Sequence, residues 1–382
     1  MPQSTAAAPL AQRATGAETA PTPGLRDLPS PDPAAGLRAY RDERAACLRS
    51  DRRRWENYRR YSASSRRAER PNYLPIKLDI ENVSRCNFRC TMCSVSQWPK
   101  GRRTHDMPLE SFKALIDAQT GLVEIKLQGM GEPLMQRDPY FEMIHYARDR
   151  RIWVRTTTNG SLLHLNDNIA KLVAADPNEV QISIDGATAA VYESIRRGSV
   201  FDRVVRNVSA LNAAFEAAGK TRTKMWTVVQ QANRDELMAL VRLAARLGFK
   251  SQVFSLELVD WGMESWRAAN DKVTVTDDLD PDELMGLVAL GESLGVRVQF
   301  WHTTEKYTTD SPAGLCPWPF ERAFIGSDGR IVPCCTIGNP DVLEVEHNGE
   351  TLDQVWFGAG YAKFRRDHLD GRIPPACRSC YV

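Results

Sequence analysis

Arg85-Cys86-Asn87-Phe88-Arg89-Cys90-Thr91-Met92-Cys93 places three thiols on one short loop in CxxxCxxC spacing. Thiolates so crowded reach three corners of a single cubane. A [4Fe–4S] cluster is normally held by four cysteines, so three leave one iron open to a ligand that is not protein. That arrangement suits an iron that must hold a small molecule and pass it an electron. Two plainer readings stand beside it: a zinc knuckle, although zinc favours paired CxxC ligands, and chance clustering.

On either side of the loop the pattern alternates strand and helix. Residues 76–80 alternate with period two and lead directly into the cysteines. Met107-Pro108 opens a helix toward Ala118, proline being favoured in a first turn. Further strands are predicted at 123–127, 152–157, 180–184, 224–229 and 251–256, with helices at 140–147, 166–174, 204–218 and 237–247. Asn233 and Glu236 read as an N-x-x-E capping box for the last of these helices. The expected fold class is α/β: a partial (β/α)6 TIM-like barrel followed by a small cysteine-rich auxiliary-cluster domain. Strand-end motifs then line one mouth, where barrels place their chemistry.

The pattern changes after about residue 312. Cys316, the pair Cys334-Cys335, and Cys377-x-x-Cys380 fall in the C-terminal part of the chain. Four thiolates complete a [4Fe–4S] site with no open iron, suited to electron transfer or anchoring; a structural zinc fits the same four. Asp328-Gly329-Arg330, between two apolar runs, reads as a hairpin turn that delivers Cys334 at the end of its second strand. Either Cys334 or Cys335 satisfies the spacing. Cys47 reads as a small core residue.

Composition narrows the class. The chain has 382 residues, 50 lysines plus arginines against 48 acids, and a net charge of +2, a balance that points to neither nucleic acid nor membrane. No run of about 18 apolar residues predicts a membrane span. Nine cysteines without a secretory signal favour metal or redox chemistry in a reducing, cytoplasmic setting. Residues 1–36, rich in Ala, Pro, Thr and Gly, read as a disordered N-terminal segment. Residues 37–72 form an arginine-rich helical extension, able in principle to touch RNA or an acidic partner. Its acidic residues favour instead a solvated helix packed on the barrel. The barrel is expected over 73–311 and the auxiliary domain over 312–382.

With these motifs in order, residues 75 to about 300 resemble the radical S-adenosylmethionine (SAM) barrel. Residues 316–382 resemble the auxiliary-cluster extension called a twitch or SPASM domain. The resemblance implies that Cys86, Cys90 and Cys93 hold a [4Fe–4S] cluster whose open iron chelates S-adenosylmethionine, which is cleaved to a 5′-deoxyadenosyl radical. It implies cofactor contacts from Met130-Gly131-Glu132-Pro133, where methionine replaces the family's first glycine, with Glu132 meeting the amino group. Thr158-Asn159 matches the family's third-strand end, and Ser183 and Asp185 the strand end that meets ribose hydroxyls. Arg196 is the implied partner of the methionyl carboxylate. Cys316, Cys334, Cys377 and Cys380 are the implied ligands of one auxiliary [4Fe–4S] cluster, since only five cysteines lie there where a full SPASM domain carries about seven.

Two [4Fe–4S] clusters, S-adenosylmethionine, a small-molecule substrate and an electron donor such as flavodoxin or ferredoxin complete this expectation. The main functional reading is hydrogen abstraction from a carbinol or aminated carbon of a sugar or aminocyclitol, giving dehydrogenation. The alternatives are a carbohydrate epimerase, a ribosomal-peptide-modifying enzyme, and a non-catalytic iron–sulfur protein. For epimerisation Cys335 is the candidate hydrogen donor, as a spare thiol beside a cluster ligand. Trp98, His105, Glu257, Trp301 and His302 are read near strand ends or mouth loops, where an aromatic, polar pocket suits a hydroxylated ligand.

Overall fold

The computed structural model describes residues 25–64, 67–97, 105–260, 262–275, 278–302, 306–338, 342 and 350–382. The strands are β1 (Lys77–Ile80), β2 (Arg89–Cys90), β3 (Glu124–Leu127), β4 (Trp153–Thr158), β5 (Glu179–Ser183), β6 (Arg196–Arg197), β7 (Thr223–Val228), β8 (Ser251–Ser255), β9 (Arg297–Trp301), β10 (Arg322–Ile325) and β11 (Ile331–Val332). Nine of them form one sheet in the order β11-β10-β1-β3-β4-β5-β7-β8-β9, parallel except for β11. Helices connect the successive strands, so the sheet curls as the βαβ pattern requires.

Parallel strands covered on both faces usually read as continuous apolar runs; these alternate instead. Leu78, Ile80, Ile125, Leu127, Val180 and Ile182 are fully buried in the core beneath the helices. Their neighbours Asp79, Lys126, Glu179 and Gln181 point the other way, into a polar lumen. Registered partners share a face, so Lys77, Glu124 and Arg322 meet at one level and Asp79 with Lys126 at the next. Ion pairs tie this lumen together: Arg155 to Glu179 at 3.0 Å and Glu124 at 3.5 Å, Lys224 to Glu179 at 3.1 Å, Lys77 to Glu321 at 3.2 Å, and Arg322 to Asp79 at 3.7 Å.

The structure departs from the sequence reading in four places. Residues 25–36 are not a disordered lead-in: Leu28 and Ala34 are buried and the segment crosses the foot of the lumen. Phe300 N–H donates to Pro29 O at 2.8 Å, Gln299 Nε2 to Ser30 O at 2.7 Å, and Ala34 N–H to Glu179 Oε2 at 2.8 Å. Its small residues and prolines satisfy the lumen's polar groups through backbone carbonyls, a role that leaves no hydrophobic periodicity to read. Residues 1–24 lie outside the described residues. Second, β9 adds a parallel strand beyond the six expected. Third, β10 pairs directly with β1, so the cysteine-rich region contributes a strand to the barrel sheet. Fourth, the Asn233–Glu236 box is absent: Asn233 caps backward onto Gln230 N, while Glu236 accepts from Ala187 N and the Thr188 hydroxyl.

The arginine-rich extension forms two helices, Gly36–Ser50 and Arg52–Ala63, with the Asp51 side chain accepting from Arg53 N between them. Their buried Arg54 and Tyr61 and half-buried Tyr40 hold the barrel's foot: Arg54 donates to Arg150 O, Tyr40 to Glu124, and Tyr61 to Glu321. Cys47 is fully buried in the main core. The 328–330 hairpin joins β10 and β11 as expected, Gly326 N–H donating to Arg330 O at 2.8 Å. Among the described residues no helix is long and apolar enough to cross a membrane.

Candidate functional site

The cysteine loop sits just past the C-terminal end of β1 and is fastened from three sides. Its short strand β2 pairs antiparallel with β6, placing Cys90 opposite Arg196. Asn87 donates to Ser161 Oγ at 2.9 Å and accepts from Asn159 Nδ2 at 3.0 Å, linking the loop to the end of β4. Arg85 O accepts from Glu132 N at 2.8 Å. A Cβ on Gly131 would meet Val83 O at 2.2 Å and Arg85 O at 2.5 Å, so glycine is required there for two loops to touch.

The donor set fits a metal cluster. All nine cysteines are free thiols. Phe88 N–H points at Cys86 Sγ, 3.5 Å away, and hydrogen bonds to a sulfur favour its thiolate. Burial pushes Cys86 up to about 12 and Cys90 to about 11, with the Arg196 guanidinium pulling Cys90 back. Such thiols ionise when a metal supplies the positive charge.

Around the loop, Glu132 is buried; Oε1 accepts from the Thr158 hydroxyl at 2.7 Å and Oε2 from Asn159 N at 2.8 Å. Glu132, Thr158 and Asn159 are thus one hydrogen-bonded unit joining the ends of β3 and β4. Met130 is buried and its N–H donates to Glu81. Asp185 departs from the expected ribose contact. It is fully buried, pairs with Arg196 Nε at 2.7 Å and accepts from Val228 N at 2.8 Å, so its carboxylate is committed to positioning Arg196. Ser183, on the lumen face at the end of β5, is half-buried. Gln128 Oε1, Gln230 Nε2 and Tyr192 Oη are buried without a protein hydrogen-bond partner, as polar groups are when a ligand completes them. No motif marks these three in the sequence, nor Asn87 and Ser161.

Cys316, Cys334, Cys377 and Cys380 all line one cavity of about 290 Å³, bounded by the loop after β8 and by Trp301. Cys335 is not among its lining residues. It lies in the fields of Asp79 and Lys126 and of Arg322, on the lumen side. The cavity repeats the donor pattern of the first loop: Thr336 N–H points at Cys334 Sγ at 3.4 Å, and Tyr381 Oη accepts from Cys316 N at 3.0 Å. Arg67 lies close enough to Cys316 to favour its thiolate, while burial carries that thiol to about 12.

Of the substrate-facing candidates, Glu257 and Trp301 border the cavity, and Trp301 stands 6.3 Å from Trp226, centroid to centroid. His105 is exposed and joined to Ser84 through backbone contacts. His302 is half-buried just past β9. Trp98 lies outside the described residues.

Residues 82–244 match the family model of the radical SAM superfamily, and residues 316–381 that of the SPASM iron–sulfur cluster-binding domain. Mycofactocin maturase MftC of Mycolicibacterium smegmatis is 33% identical over 202 residues, 52% of this chain and 49% of that protein. A GTP 3′,8-cyclase of Ectopseudomonas mendocina is 32% identical over 175 residues, 45% of this chain and 51% of that protein. The chain spans about half the length of the curated relatives it matches. In fold it resembles Streptococcus suis SuiB crystallised with its precursor peptide SuiA, at a TM-score of 0.63 and 15% identity over 81% of this chain and 70% of that one.

Proposed function

We propose that this chain, a radical SAM enzyme with a C-terminal SPASM-type domain, abstracts a hydrogen atom from a carbon of a ribosomally made peptide. Its cofactors are S-adenosylmethionine and [4Fe–4S] clusters. The observation that carries the peptide reading is the 33% identity over 202 residues with mycofactocin maturase MftC, beside the fold shared with SuiB bound to its precursor peptide SuiA. Sugar or aminocyclitol dehydrogenation, the main reading of the sequence, becomes the second reading. One feature still favours that second reading, since the described residues before β1 hold helices and no strand-bearing peptide-binding domain.

When bound, the first cluster and S-adenosylmethionine supply a 5′-deoxyadenosyl radical, the hydrogen-abstracting agent. In this proposal Cys86, Cys90 and Cys93 hold that cluster. Arg196, kept in place by Asp185, binds the methionyl carboxylate through a charge-assisted contact. The Glu132–Thr158–Asn159 unit shapes the loop that meets the amino group, and Ser183 with Gln230 offers hydrogen bonds at the strand ends. Cys316, Cys334, Cys377 and Cys380 hold one auxiliary cluster, an acceptor for the substrate's electron, and a flavodoxin-like or ferredoxin-like protein supplies the first electron. Cys335 faces the lumen and is available to a substrate as a thiol.

The test is anaerobically reconstituted enzyme with S-adenosylmethionine and reductant, assayed for 5′-deoxyadenosine. Peptides from a synthetic library should raise its release well above the substrate-free rate and return modified by mass. Stimulation by aminocyclitols alone would overturn the peptide reading in favour of the second.

A further inference from the structure

The lumen floor is a chain of paired charges with one member left over. Among the inward-facing cations, Lys77, Arg155, Lys224 and Arg322 each hold a carboxylate within 4 Å. Arg297 donates instead to Pro33 O and Ala34 O. Lys126 stands in register between Asp79 on β1 and Arg155 on β4, yet makes no hydrogen bond or ion pair among the described residues. Asp79 is already turned to Arg322, and Arg155 is shared by Glu124 and Glu179. The Asp79 carboxylate feels the Lys126 charge through space but makes no hydrogen bond to it, so the half-buried ammonium keeps its donors for a ligand carboxylate.

Its position is informative. Lys126 lies two residues before Gln128, whose carbonyl oxygen is buried without a partner, and just ahead of the Met130–Glu132 loop. Cys335 reaches the same region from the C-terminal hairpin. Across the lumen, Trp226 and Trp301 hold their rings 6.3 Å apart, Trp226 half-buried and Trp301 36% exposed. A lumen that carries on β3 a cation without a hydrogen bond among the described residues, and on β7 and β9 two indoles, suits an occupant with an anionic group next to an apolar or aromatic body.

We infer that Lys126 is a specificity-determining residue that receives a carboxylate of the substrate inside the barrel, with Trp226 and Trp301 packing the part beside it. This rests on the peptide reading above. The carboxylate is then an Asp or Glu side chain, or the peptide's own C-terminus, held below the carbon that loses hydrogen.

Affinity selection with mass spectrometry tests it. Reconstituted enzyme with S-adenosylmethionine is offered a random synthetic peptide library made in two forms, with a free C-terminal acid and with an amide. Wild type should capture peptides enriched about tenfold in Asp or Glu in both forms if a side chain is read, or in the acid form alone if the terminus is. Lys126→Gln should lose that enrichment, and Lys126→Glu should shift it to Lys and Arg. Unchanged iron content and S-adenosylmethionine binding show that each variant is folded. Captured peptides with no carboxylate preference on wild type, or the same preference on all three proteins, would overturn the role of Lys126 and leave the peptide reading standing. Capture of no peptide above a heat-denatured control would remove the peptide reading, and the inference with it.

Discussion

Arg196 is held by a carboxylate that burial has removed from solvent, and this pairing sets what a substitution does. Asp185→Ala leaves a buried guanidinium without its partner, a loss of roughly 1.5–3 kcal/mol for a charge-assisted hydrogen bond. S-adenosylmethionine affinity should fall about ten- to hundredfold with both cysteine sites still loaded. Because Asp185 acts through Arg196 (2.7 Å), the double variant Asp185→Ala/Arg196→Ala should bind no worse than Arg196→Ala alone, the non-additivity of a shared contact. Additive losses in equilibrium binding would return Asp185 to direct contact with ribose. The sequence brought Asp185 and Arg196 into view separately, through strand-end and loop motifs; that one neutralises the other depends on a pairing across the ten intervening residues of turn and helix, which no local pattern encodes. The adjacent cysteines make a second case. Cys334→Ala should lose about half of the iron and Cys335→Ala none, since only Cys334 lines the four-thiol cavity. Equal losses from both would mean that the pair shares the site.

Among the elements, the segment before the first helix carries more than its composition suggests. Its carbonyls and one N–H take up Gln299, Lys224, Arg297, Glu179 and Phe300 N. At about 1 kcal/mol net for each hydrogen bond, deleting residues 1–35 should destabilise the protein by several kcal/mol. Urea midpoints measured on otherwise identical proteins check this; an unchanged midpoint would make the segment ornamental. The periodicity of strands such as Glu179–Ser183 was legible because an inward polar residue follows each outward apolar one. The segment was not legible because it packs with backbone rather than side chains. β10 was hidden for another reason: Arg322–Ile325 reads as half of a hairpin, and nothing local says that its other edge belongs to β1.

Taken as a whole, the molecule is built around two cysteine sites reached from one lumen. Replacing Cys86, Cys90 and Cys93 together by alanine should leave about half of the iron and abolish 5′-deoxyadenosine formation; retention of all the iron, measured by metal analysis, would place both clusters elsewhere. The register of Lys77 with Arg322 also has a bearing on synthesis. The first strand leaves the ribosome about 245 residues before the strand that seals its edge, which at 5–20 residues per second is roughly 12–50 s. For that interval Lys77–Ile80 presents an open edge, of the kind that recruits foreign strands. The nascent chain therefore depends on chaperone shelter or on slow aggregation until its last sixth emerges, and the four-thiol site of Cys316, Cys334, Cys377 and Cys380 cannot form before the same moment.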